Sequence, residues 1–265
     1  MQWLSLSFMK NAFVAVLVIA PLFGLLSTQI VSRRMSFFSD ALGHSAFTGI
    51  AIGVLCGLGE PMWGACVFAV FFALLFTLVR SKTGMASDTV IGVFSSAAVA
   101  MGIFIATFGG KSFTKFNSLL IGDILSVQPS RIALLAVIFA LVVVFYVLCY
   151  NALLVMTIHQ PLAKSRGISV TLLEGLFSAL IAVVVTVSMT WVGLLVINSM
   201  LVLPAAGARN WAKNTRQYHL ISIIGALVCG VLGLYTSYQI GASTGATITL
   251  YLTGYFALSF IFRRK

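Results

Sequence analysis

Asp40 and His44 stand four residues apart in an otherwise apolar stretch that runs from Ser36 to Gly57. On a helix that spacing puts both side chains on one face, about 6 Å apart along the axis. A carboxylate and an imidazole are a hard and a borderline donor, a combination that suits a divalent transition metal. Asp40 alone would also serve as a helix N-cap, but that role leaves His44 unexplained. Asp123, in Leu-Ile-Gly-Asp-Ile-Leu, reads equally as a second carboxylate on a path or as a cap in a broken helix. Asn198 lies a turn and a half before Pro204, which removes one helix hydrogen bond and frees the Met200 carbonyl. The two read either as a packing kink, the simpler view, or as polar groups along a path. His159 and His219 adjoin basic loops and read as interfacial groups rather than ligands.

The element that carries Asp40 is apolar enough to cross a bilayer. A carboxylate in lipid costs roughly 3 kcal/mol, so Asp40 must face protein or a water-filled path. Beside it Ser45, Gly49, Gly53 and Gly57 recur every four residues and form a smooth stripe for a neighbouring helix. The rest of the chain agrees: 60% of its 265 residues are hydrophobic and 8% charged, with a mean hydropathy of +1.11. A soluble domain has no interior large enough for that much apolar surface. Cys56, Cys66, Cys149 and Cys229 are scattered through apolar runs without a Cys-x-x-Cys pair, which fits packing.

The expected fold is all-α, a polytopic helical membrane protein forming one transmembrane permease domain over 1–265. Nine spans are expected, at 11–31, 38–58, 62–79, 88–109, 131–156, 170–190, 192–208, 218–237 and 242–262. Residues 114–128 are too short and polar for a crossing and read as re-entrant or interfacial. With the N-terminus outside and the C-terminus in the cytoplasm, twelve of the sixteen basic residues lie inside; Lys10, Lys111, Lys115 and Arg131 lie outside. The net charge of +11 is then explained by topology, and no nucleic-acid partner is implied. Gly-Gly-Lys-Ser at 109–112 resembles the end of a phosphate-binding loop. That motif needs glycine where Ile105 stands, so the chain has no nucleotide site of its own. No nucleophile–base pair suggests an enzyme either.

Four segments, in order, carry a family resemblance: Arg-Arg-Met-Ser-Phe-Phe-Ser-Asp-Ala-Leu-Gly-His-Ser at 33–45, Leu-Leu-Ile-Gly-Asp-Ile-Leu-Ser-Val at 119–127, Leu-Ala-Lys-Ser-Arg-Gly-Ile at 162–168, and Val-Gly-Leu-Leu-Val-Ile-Asn-Ser-Met-Leu-Val-Leu-Pro-Ala-Ala-Gly-Ala-Arg at 192–209. With them the chain resembles the permease subunit of the zinc/manganese/iron-type ABC importers, which are fed by cluster A-I binding proteins. The resemblance implies a homodimeric pore in a bacterial-type plasma (inner) membrane, with an extracytoplasmic metal-binding protein on one side. On the other, a cytoplasmic ABC ATPase hydrolyses ATP and docks on Leu162, Ala163, Lys164, Gly167 and Ile168. It implies that Asp40 and His44 line the metal path, with the ion as cargo and no stably bound cofactor. Zinc is expected first and manganese next. The segment around Lys164 and Arg166 reads as a short helix on the basic side, ended by Gly167 in a left-handed cap. The alternative is a self-sufficient secondary carrier or channel, with Asp40 and His44 as a proton or metal relay.

Overall fold

The computed structural model describes residues 6–57, 59–108 and 124–263. Among them are ten α-helices and no strand. They are α1 (Ser7–Ser32), α2 (Phe38–Leu55), α3 (Pro61–Thr83), α4 (Ser87–Phe108), α5 (Pro129–Ile158), α6 (Gln160–Ser165), α7 (Val170–Val192), α8 (Leu194–Trp211), α9 (Thr215–Ile240) and α10 (Thr244–Ile261). Every helix but α6 falls on an expected span, and eight of them have the length and hydropathy to cross a membrane. The ninth, α8, has 18 residues, but Asn198, Pro204, Arg209 and Asn210 dilute its apolar character. Residues 114–128 are described only from Ile124, where a 3-10 turn (Ile124–Ser126) leads to Pro129. Asp123 and the Gly-Gly-Lys-Ser stretch lie outside the described residues.

The chain divides into two units. One comprises Met1–Ser36, Gly122–Val143 and Trp191–Lys265; the other comprises Phe37–Ile121 and Val144–Thr190. In the first unit α1 lies on α9 through small residues. A Cβ on Gly24 would sit 2.8 Å from the Ile223 Cα. The Ser27 and Ser222 hydroxyls are 2.9 Å apart, and both donate to the Gly24 carbonyl. Two hydroxyls that would be costly in lipid thus share one carbonyl acceptor at the point of closest approach. The α9–α10 contact repeats the device, with Gly233 against the Ile248 backbone and Thr247 donating to the Gly233 carbonyl at 3.0 Å.

In the second unit α2 is the enclosed element. Seventy-two per cent of its span is buried, against 33% for α3 and 28% for α4, whose outer faces carry exposed Val67, Phe71, Val93 and Phe104. The expected stripe is the reason α2 fits. A Cβ on Gly49 would lie 2.6 Å from the Ala65 Cα, and one on Gly64 would lie 2.8 Å from the Gly49 oxygen. Backbone meets backbone there, as small residues permit. Gly57 is not part of this contact: with φ 70° and nothing within 4 Å, it serves the turn that ends α2. Thr48 fixes α2 to α4 by donating to the Ala98 carbonyl at 2.6 Å. Phe38, Phe76 and Phe94 fill the end of α2 nearest Asp40, with ring centroids 4.8 Å and 5.8 Å apart along the series.

Candidate functional site

Asp40 is the third residue of α2, and the N-cap position belongs to Phe37, which makes no side-chain cap. The N-cap reading of Asp40 therefore fails, although an acid in the first turn suits the positive end of a helix. One turn on, the His44 Nε2 stands 3.5 Å from the Asp40 Oδ2. Two donors each about 2.1 Å from one ion and tetrahedrally disposed lie about 3.4 Å apart, so the separation seen here matches that of two ligands sharing one small divalent ion. The side chains are 34% and 45% exposed, on a helix otherwise nearly buried. The two polar groups thus share the open part of an enclosed element. Among the described residues no third His, Cys, Asp or Glu joins them. Two donors alone would hold a divalent ion only weakly, since its other coordination positions need further ligands.

The second assembly is the corner formed by α6 and the start of α7. His159 caps α6 by accepting a hydrogen bond at Nδ1 from the Leu162 N–H at 3.1 Å, which gives that residue a structural role. At the other end the Gly167 N–H donates to the Lys164 carbonyl and the Ile168 N–H to the Ala163 carbonyl, with Gly167 at φ 75°. This is the left-handed cap expected of Gly167. Ala163 is fully buried, whereas Leu162, Lys164 and Arg166 are exposed. Ala163 therefore seats the helix, and the face offered outward belongs to its neighbours.

Close to this corner Arg80, in the last turns of α3, reaches Glu174 at the start of α7. The Nη1–Oε1 distance is 2.6 Å, and Glu174 is 6% exposed. In the sequence Arg80 is one of the twelve basic residues expected inside, with nothing local to tie it to Glu174. Glu174 itself gives a signal, because it is one of five acidic residues and lies inside an apolar run, as Asp40 does. Asn198 is half-buried in α8, in the other unit from Asp40 and His44. Pro204 is buried within a helix that continues through it to Trp211. His219 lies in the first turns of α9.

The model of the ABC 3 transport family matches residues 5–263. An uncharacterized membrane protein of Synechocystis is 34% identical over 264 residues, covering 99% of this chain and 93% of its own. The manganese transport system membrane protein MntC of Listeria monocytogenes is 30% identical, with 98% of this chain and 92% of its own covered. Among solved structures, PsaBC from Streptococcus pneumoniae in complex with Fab matches with a TM-score of 0.85 and 29% identity, covering 100% of this chain and 95% of that one.

Proposed function

The chain belongs to the ABC 3 transport family, and on that premise we propose that it is the membrane-spanning permease of an ATP-driven importer of divalent transition metal, manganese before zinc. The order of metals follows the names of relatives such as the Listeria manganese transport protein, and it reverses the order expected from the sequence. The observation that carries the reading is the Asp40–His44 pair, 3.5 Å apart on the enclosed helix α2. Both groups are donors for Mn²⁺ and Zn²⁺ alike, so selection falls to geometry and to delivery. ATP hydrolysis belongs to a separate cytoplasmic ATPase seated on the exposed face of α6, and an extracytoplasmic protein delivers the ion. A second copy of the chain supplies the remaining donors across a homodimeric pore. The basic residues at the ends of α1, α3, α8 and α10 support a C-terminus in the cytoplasm of a bacterial-type inner membrane. A self-sufficient carrier with the pair as a relay gains nothing from the family match.

Asp40→Ala and His44→Ala test the site. Each variant should assemble normally, and cells carrying it should accumulate radioactive manganese only at the level of cells lacking the gene. Native accumulation by either variant would refute the assignment.

A further inference from the structure

We propose that the Arg80–Glu174 pair, together with the Phe76–Phe38 contact one turn away, is the link through which movement of α6 reaches Asp40 and His44. The proposal rests on the permease reading above. Glu174 and Arg80 are withdrawn from water, and such a pair gains little stability over apolar residues of the same size. Packing alone therefore gives no reason for two opposite charges at this place. Their position does. Glu174 lies one turn into α7, directly after the corner that Gly167 and Ala163 tie to α6. Arg80 lies one turn from Phe76 on the same face of α3. The Phe76 ring is 4.8 Å from that of Phe38, both rings are buried, and Phe38 opens α2 two residues before Asp40.

The surroundings leave the corner room to move. An open cleft of ≈ 840 Å³ separates Leu74, Thr77 and Leu78 on α3 from Lys164, Ile168 and Leu172 at the corner. The walls do meet at one place, where the Leu74 side chain approaches Gly175. Beside the cleft the ion pair joins them at 2.6 Å. A displacement of α6 carries the start of α7, the charged pair pulls the end of α3, and the ring contact passes the shift to the first turn of α2. The link is short because the Asp40 end of α2 and the Arg80 end of α3 adjoin.

The test uses the complete transporter, with its ATPase and metal-binding protein, in proteoliposomes. Arg80→Met with Glu174→Leu removes both charges at similar volume and should fold. It should keep the ATPase on copurification and hydrolyse ATP at about the native rate, while manganese uptake falls roughly tenfold or more. Native uptake by the double variant would overturn the proposal. Loss of the ATPase from the complex would also overturn it, because the pair would then only shape the docking face. If the double variant does not fold, Arg80→Lys keeps the charge without the forked geometry. It should hydrolyse ATP normally and import at a reduced rate, and full uptake would again overturn the link. Failure of the underlying permease reading looks different: the native chain itself would retain no ATPase or import no metal.

Discussion

Arg34 adopts φ 56°, a left-handed conformation that costs a non-glycine residue roughly 1 kcal/mol. Its N–H donates to the Val31 carbonyl and that of Met35 to the Ile30 carbonyl, so it ends α1 much as Gly167 ends α6. Arg34→Gly should therefore raise the melting temperature in detergent slightly, and a lowered one would show that the arginine side chain contributes more than its backbone costs. At α6 two neighbours divide the work. Ala163 lies in the segment expected to dock the ATPase, and within this chain its side chain is buried while that of Leu162 is exposed. Leu162→Glu should leave the permease folded and strip away the ATPase on copurification. Ala163→Glu buries an unpaired charge, costing several kcal/mol, and should lower folded yield instead. The opposite pattern would mean that Ala163 faces the partner. The Asp40–His44 pair was legible because two polar groups at i and i+4 interrupt an apolar run. The Arg80–Glu174 pair joins residues 94 positions apart, and no local spacing announces it.

At the scale of elements, α2 and α3 are joined where side chains are absent. Gly49→Ala places a methyl 2.6 Å from the Ala65 Cα, where neither backbone can yield, and should destabilise by about 3 kcal/mol or more. Gly92→Ala on α4 meets nothing within 4 Å and should be neutral or slightly stabilising, since alanine favours a helix. Thermal unfolding of both variants in detergent checks the contrast, and equal melting temperatures would show that the α2–α3 contact is loose. The four-residue repeat disclosed this interface in the sequence. It also overreached by one glycine, because Gly57 continues the spacing after the helix has ended.

For the whole molecule, the nine long helices among the described residues are legible in the sequence because apolar runs of this length have no other stable state in lipid. The partition into two units was not, since each is assembled from separated segments whose affinity for one another lies in three-dimensional fit. Orientation is open to a direct check. Cys56 is exposed just past α2, at the end expected outside. In a chain whose other cysteines are alanine, a membrane-impermeant thiol reagent should label Cys56 in intact spheroplasts. Labelling only after the membrane is broken would reverse the topology. The separated segments also set a timetable. The helix α1 finds its partner α9 only after some 180 further residues have left the ribosome, roughly ten to forty seconds at ordinary synthesis rates. During that wait Gly24 and Ser27 face lipid or an insertion chaperone instead of Ser222, and any delay late in translation prolongs the exposure. Until Thr215–Ile240 has been made, this face of α1 is thus open to quality-control proteases that the finished contact excludes.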